Sequence, residues 1–361
     1  MASATHLGQL FNESIVLLDG GLGTTLETYY SKAISNTPLW SANVITEDPE
    51  AVIKAHIAFL EAGAKVLMTA TYQCAFETFG RGGYSKEEAI EIWRKGVQLA
   101  DEARRRFVQE RNLPDDSIRI ALSIGPFGST LVPTQEFDGF YPPPYGPQAY
   151  TTDGQGRNSF LPGEEDKETT AVQALAEFHF ERLKAYLSDS ATWGMIDLLA
   201  FETVPVLREI TAIRKAVQMV EAEITKQGQA VTLKPWWISG RAQQVAQTAL
   251  GGAVELPRPT GLGINCCGVE FMSELAHDMG QAVREYNLER PPILVLYPNG
   301  GDVYDTVLRQ WKKGRDKAHW ADELDQVVRK VKDAWGGVIV GGCCRTGPEE
   351  IRALGQVFSG S

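Results

Sequence analysis

No apolar run in the chain approaches the ~20 residues needed to cross a bilayer, so a membrane-embedded protein is excluded as an expectation. Met1 to Ser14 shows no basic start followed by an apolar stretch, so no secretory leader is expected and the cytoplasm is the expected compartment. Positive charge is in deficit: 35 Lys and Arg stand against 46 Asp and Glu, a net charge of −11. An acidic surface repels phosphate backbones and anionic headgroups, which argues against nucleic acid or membrane partners. Histidine is scarce. His6, His56, His179, His277 and His319 do not gather near the strand ends described below, leaving little material for a histidine-rich metal site or a Ser-His-Asp triad. Cysteine is also sparse and wrongly arranged for a disulfide framework. Cys74, Cys266, Cys267, Cys343 and Cys344 form an odd set with two adjacent pairs, and neighbours in sequence rarely reach disulfide geometry with each other. In a reducing compartment such clusters point to metal binding or catalysis.

What is present is a core and a rhythm. Hydrophobic residues make up 43% and charged residues 22% of 361, a composition that folds rather than one that stays disordered. Short apolar runs alternate with longer amphipathic segments. Strands are predicted at Ile15–Leu18, Lys65–Thr71, Ile118–Ile124, Ile196–Phe201, Trp236–Ser239, Leu262–Asn265, Ile293–Tyr297 and Val338–Val340. Helical patterns lie behind most of them. One opens at Asp48-Pro49, with proline suited to the first helical position. Another opens at the capping box Ser85 to Glu88. Eight β-then-α units predict a (β/α)₈ TIM barrel, with residues 1–361 as one domain. The segment Pro133 to Asp166 breaks the rhythm. It is rich in Pro, Gly and aromatics, follows the third strand, and is either a lid or a surface insertion.

In a barrel, the strand C-termini and the loops after them form the active face. Asp19, Thr71, Glu202, Cys266 and the Cys343-Cys344 pair all fall at predicted strand ends. Thiols at the ends of strands six and eight can share an ion, and three thiolates with one open position suit a catalytic zinc. The alternative is that these are small buried side chains, which free cysteines often are. Cys267 is the natural spare, because adjacent strand residues point to opposite sides; Cys74 is expected to be inert. The helix after Cys344 begins with an apparent capping box, Thr346 to Glu349, whose positive end together with Arg345 favours thiolates. Asp19 and Glu202 are each common as turn residues, but beside thiolates they suggest recognition of an ammonium group. The Gly20-Gly21 turn can bring backbone N–H groups against a carboxylate.

The motifs Leu18-Asp19-Gly20-Gly21-Leu22-Gly23-Thr24, Thr69-Ala70-Thr71-Tyr72-Gln73, Gly125-Pro126-Phe127-Gly128, Phe201-Glu202-Thr203, Gly263-Ile264-Asn265-Cys266, Tyr297-Pro298-Asn299 and Gly341-Gly342-Cys343-Cys344 together resemble the homocysteine S-methyltransferase family from about Leu17 to Leu354. The resemblance implies zinc held by Cys266, Cys343 and Cys344. It also implies homocysteine bound through Asp19 and Glu202 at its ammonium and through backbone near Gly20 and Gly21 at its carboxylate, with Thr71 and Asn265 as further substrate contacts. Glu202-Thr203 resembles the branch that uses a sulfonium donor, S-methylmethionine or S-adenosylmethionine, more than the betaine branch. The stretch Glu136 to Tyr141 is similar to an acidic, aromatic segment of the family, whereas Ile238 to Ala242 departs from its usual fifth-strand loop. A homo-oligomer is compatible with the chain. Two competing readings are a barrel that uses its metal for hydrolysis, and a thiol-rich zinc store or redox sensor with no need of Asp19 or Glu202.

Overall fold

The structure, a computed structural model, describes residues 10–359 except 12, 33, 35, 36, 38, 228–231, 241, 252–254, 306–309 and 315–318. His6 and Arg241 lie outside the described residues.

Eight parallel strands form one sheet: β1 (Ile15–Leu17), β2 (Val66–Met68), β3 (Arg119–Ile124), β4 (Leu198–Val204), β5 (Trp236–Gly240), β6 (Gly261–Gly268), β7 (Ile293–Asn299) and the last barrel strand, β10 (Val338–Val340). The order β1-β10-β7-β6-β5-β4-β3-β2 returns on itself. A parallel bridge between Leu18 and Val66, with the Asp19 N–H donating to the Val66 carbonyl at 3.0 Å, joins its two ends into a barrel. A short antiparallel hairpin, β8 (Val303–Asp305) and β9 (Gln310–Lys312), sits between β7 and β10 and was not signalled by the sequence pattern.

Strand alternation sorts the core into two shells. Val16, Leu18, Ala200, Trp237, Val295 and Ile339 fill the barrel. Leu199, Phe201, Leu294, Leu296, Val338 and Val340 face outward and pack under the helices. Helix starts follow their sequence signals in two places. The Asp48 carboxylate accepts the Ala51 N–H ahead of Pro49, and Ser85 and Glu88 form a reciprocal capping box. At the last helix (Pro348–Ser359) the expected box is not formed. Glu350 accepts the Gly347 N–H at 2.6 Å, and the Thr346 hydroxyl instead donates to the Cys343 carbonyl. Thr346 is fully buried, which explains why it serves the strand end rather than the helix end.

The Pro133–Asp166 segment is an ordered wall on the C-terminal face of the barrel. Arg208, on the helix Leu207–Gln227, donates to the carbonyls of Asn158 (2.6 Å), Tyr145 (3.1 Å) and Gly139 (3.3 Å). Tyr141 is fully buried and donates to Glu209 at 2.6 Å, while Tyr145 stacks on Phe127. Glu209 also accepts from the Phe127 N–H and contacts His179, so a polar cluster beneath the segment has every carboxylate oxygen occupied. No helix among the described residues is long and apolar enough to cross a membrane.

Candidate active site

The strand tips open into a cavity of about 470 Å³. Cys266 from β6 and Cys343 and Cys344 from the loop after β10 lie in its wall, with their three sulfurs within 4.8 Å of one another. Among the described residues, no other group of three His, Cys, Asp or Glu side chains comes together in this way.

Simple alternation does not produce this arrangement. Leu262 and Ile264 face the outer shell, so Cys266 would face it too. Instead the β6–β7 register shifts between Asn265 and Gly268, and Cys266 adopts a left-handed backbone at φ 52°. That bulge turns Cys266 into the cavity and leaves Cys267 packed against the outer shell. β4 breaks in the same way. Its register against β5 shifts between Phe201 and Val204, with Thr203 at φ 57°. Asn265 locks the two bulges together: its Oδ1 accepts the Thr203 N–H at 3.2 Å, and its Nδ2 donates to the Thr203 hydroxyl at 2.7 Å. Trp40 and Arg345 at the same end are also left-handed, at 47° and 62°. Each such residue costs about 1–3 kcal/mol, and this kind of strain concentrates at functional sites.

The three thiols do not titrate independently. Cys344 is held well below the ordinary thiol value by hydrogen bonds from Cys266 and Cys343. Cys266 is pushed up by its hydrogen bonds to those two sulfurs and then by burial. Cys343 gains from a hydrogen bond from Cys266, yet is raised on balance by donating to Cys344, by burial and by neighbouring charge. The set therefore carries one negative charge readily and needs a cation among the sulfurs to carry three. A soft divalent ion with three thiolate ligands and an open position fits this donor set. Cys74 is apart from it, fully buried, with its thiol pushed far up by burial.

Two carboxylates stand nearby. Glu202 lies on the inward face of β4 with Ala200 and lines the cavity. It accepts a hydrogen bond from Ser123, and burial pushes it up to about 8. Asp19 is fully buried. One oxygen accepts the Met68 N–H at 2.8 Å, the other has no partner, and burial raises it well above the usual carboxylate range with a further contribution from Glu202. Among the described residues, no Lys, Arg or His pairs with either group. Asp19 itself is not among the residues that line the cavity, whereas Glu202 is.

Other expected contacts are placed differently. Thr71 lies beyond the end of β2 and does not line the cavity. Its hydroxyl donates to the Ser123 carbonyl at 2.8 Å and contacts the Thr69 hydroxyl, which in turn accepts the Ser123 N–H. Thr71 thus supports Ser123, and Ser123 holds Glu202. Gly20 and Gly21 do line the cavity, but the Gly21 N–H is committed to the Thr346 carbonyl at 2.9 Å. The need for glycine there is close approach. A Cβ on Gly21 would lie 2.5 Å from the Cys343 carbonyl oxygen, and one on Gly20 the same distance from that of Thr346. The free N–H groups at this corner belong to the first turn of the helix Leu22–Tyr30, whose start lines the cavity. Arg345 does not face the thiols alone: its Nε donates to Asp302 at 2.8 Å, and its guanidinium lies over Trp311.

The family model for homocysteine S-methyltransferase matches residues 16–358. The chain belongs to the homocysteine S-methyltransferase family. Homocysteine S-methyltransferase 1 of Brassica oleracea var. italica is 30% identical, covering 94% of this chain and 92% of its own length. Homocysteine S-methyltransferase 2 of Zea mays is 29% identical, covering 96% and 90%. The selenocysteine Se-methyltransferase of the same Brassica is 28% identical, covering 94% and 87%. Among solved structures, the metallated form of the homocysteine methyltransferase MmuM from Escherichia coli superimposes with a TM-score of 0.67 at 26% identity, covering 96% of this chain and 98% of that one. The (β/α)₈ barrel expected from the alternating pattern is the fold of this family member.

Several residues at the mouth had no assigned role in the sequence reading. Ser123 carries no motif of its own. Tyr72 and Glu136 sit inside quoted motifs, but only the structure joins them: the Tyr72 hydroxyl donates to Glu136 at 2.8 Å. Arg182, fully buried, ties the active-face loops from below through the carbonyls of Cys74, Gly125 and Tyr72, and nothing in its helical context announced it.

Proposed function

We propose that this family member transfers a methyl group from a sulfonium donor, S-methylmethionine or S-adenosylmethionine, to the thiol of homocysteine, with zinc held by Cys266, Cys343 and Cys344. The observation that carries the reading is the convergence of three thiols on one cavity lined by Glu202, with Asp19 buried in the chain just before the Gly20-Gly21 turn that also lines it, neither carboxylate having a cationic partner among the described residues. Cys266, Cys343 and Cys344 would hold the zinc, and the chemistry it would supply there is a lowered pKa for the substrate thiol.

The chain's own residues supply orientation. Glu202, fixed by Ser123, and the free oxygen of Asp19 take the homocysteine ammonium. The start of the helix Leu22–Tyr30 takes its carboxylate, since first-turn N–H groups and the helix dipole both favour an anion. Asn265 acts indirectly, by locking the bulges that aim Glu202 and Cys266. With the acceptor fixed at both ends, its sulfur attacks the methyl carbon in line. The S–CH₃ bond of the donor breaks with its electron pair going to the donor sulfur, the new C–S bond forms on homocysteine, and the thiol proton has gone to solvent. Products are methionine and a neutral thioether. Alignment of this kind supplies much of the rate without a protein base.

The test is methionine formation by zinc-loaded protein from homocysteine, with S-methylmethionine, S-adenosylmethionine and betaine offered in parallel. Selenocysteine serves as a second acceptor, given the named activity of one relative. Turnover with a sulfonium is expected. Silence with every donor at one zinc per chain would overturn the proposal and favour a metal store or sensor.

A further inference from the structure

Beyond the first cavity lies a second of about 310 Å³, bounded by the ends of β4, β5 and β6. Glu136 and Phe137, from the wall segment after β3, line both cavities, as do Thr203, Cys266 and Phe271. Glu136 therefore stands where a ligand running from the thiols into the second chamber must pass. Among the carboxylates of the described residues that line either cavity, it is the one that lines both.

Its surroundings are those of a receptor for positive charge. Among the described residues no Lys, Arg or His pairs with Glu136, and its one hydrogen-bond partner is the Tyr72 hydroxyl. Burial pushes its carboxyl up to about 7, with the nearby Cys344 adding to the effect. The wall that carries Glu136 is pinned by Arg208 and Tyr141, so the carboxyl is held rather than swung in. The aromatic side chains Tyr72, Phe137 and Trp40 line the same space, and aromatic rings can attract cations.

We propose that Glu136 is the counter-charge for the methyl donor: it pairs with the positive charge the donor brings and thereby selects cationic donors, with the second chamber taking the part of the donor beyond its methyl group. This rests on the sulfonium reading above. Asp19 and Glu202 are assigned to the acceptor's ammonium, and Glu136, on the connection after β3, is the carboxylate that also lines the second chamber. A charge that the donor loses on transfer is held most strongly in the ground state. The interaction therefore tightens donor binding without lowering the chemical barrier, and it weakens once the thioether forms.

The experiment is steady-state kinetics of zinc-loaded Glu136→Gln, which keeps the shape and the Tyr72 contact, with Glu136→Asp as the charge-retaining control. The KM for S-methylmethionine is expected to rise roughly tenfold to a hundredfold, with kcat within about threefold of wild type. Homocysteine KM and zinc content are expected to be unchanged, and Glu136→Asp to recover part of the loss. A second readout uses 2-amino-5-methylhexanoate, in which an uncharged carbon replaces the sulfonium, as a competitive inhibitor. Dimethylsulfonioacetate, which has a sulfonium and no ammonium, serves as an alternative donor. If its KM rises too and the neutral inhibitor is unaffected by Glu136→Gln, the pairing is with the sulfonium. If the effect is confined to donors with an ammonium, the pairing is with that group. An unchanged donor KM in an active Glu136→Gln enzyme, or a rise in homocysteine KM instead, would overturn this assignment alone. A wild type silent with every sulfonium would overturn the reading beneath it, and this with it.

Discussion

The two sides of the barrel mouth are built by opposite means. On the β6 and β10 side, chemistry sits within or just past the strands: Cys266 in β6 and Cys343 and Cys344 on the loop directly after β10, held by a bulge and by close glycine contacts. On the β2 and β3 side, the connections after the strands carry the site. Tyr72 and Glu136 come from connections held by buried arginines: Arg182 beneath one and Arg208 behind the other. Strand ends give rigidity where ion geometry demands it. Loops give shape where a donor must be chosen, and the scaffold below keeps them from moving freely.

The sharpest way to break this comparison is at the thiols. Cys343→Ala should reduce bound zinc to a small fraction of one per chain and lower turnover on the order of 1,000-fold with every donor, because loss of the ion removes nucleophile activation. Elemental analysis and a methionine assay check both. Next come the acceptor carboxylates. Glu202→Gln or Asp19→Asn should raise homocysteine KM about 10- to 100-fold, the worth of one charged hydrogen bond, while zinc content and donor KM hold steady. A matching rise in donor KM would dissolve the division between acceptor and donor carboxylates.

The wall itself can be loosened. Arg208→Ala strips three carbonyls of their donor and should cost about 2–3 kcal/mol in urea unfolding, with donor KM rising and homocysteine KM unchanged. Away from the mouth, His56 is fully buried with both ring nitrogens unpartnered, and burial holds it near 4 against an ordinary 6.5. The unfolded chain takes up that proton first, so the stability contribution is complete above about pH 6.5 and is lost as pH falls toward 4. Between pH 7.5 and 5 this group should remove about 2 kcal/mol. In His56→Leu that part of the slope should vanish in urea titrations at the two pH values. The smallest effect sharpens the comparison most finely. Cys267→Ser alters the neighbour of a ligand but not the triad, so zinc content and kcat should both stay within about twofold of wild type.

The strand-end side was readable because its signals are local. Apolar runs ending in Gly-Gly-Cys-Cys or Gly-x-Asn-Cys state both the strand and its tip, and the alternation of β and α units states the barrel. What escaped depends on contacts between distant residues or on backbone conformations that no residue type compels. The Gly-x-Asn-Cys motif names Cys266 rather than Cys267, but the bulge that turns it into the cavity, locked by Asn265 reaching Thr203, was not legible. Thr71, expected at the substrate, does not line the cavity and braces Ser123, while Asn265 both locks the bulges and lines the second chamber. Thr346 looked like a helix cap, but its hydroxyl is used by the thiol loop. The β8–β9 hairpin is too short to leave a periodic signature. Glu136 lay in a stretch whose composition was noticed, yet its role needed the fold of the loop that carries it.

The central claim is that three thiols hold an ion whose fourth position receives the substrate sulfur. X-ray absorption at the zinc edge, recorded with and without homocysteine, tests it directly. The account predicts three sulfurs and one lighter ligand in the resting protein, changing to four sulfurs when homocysteine binds. An unchanged ligand set at saturating homocysteine would contradict it.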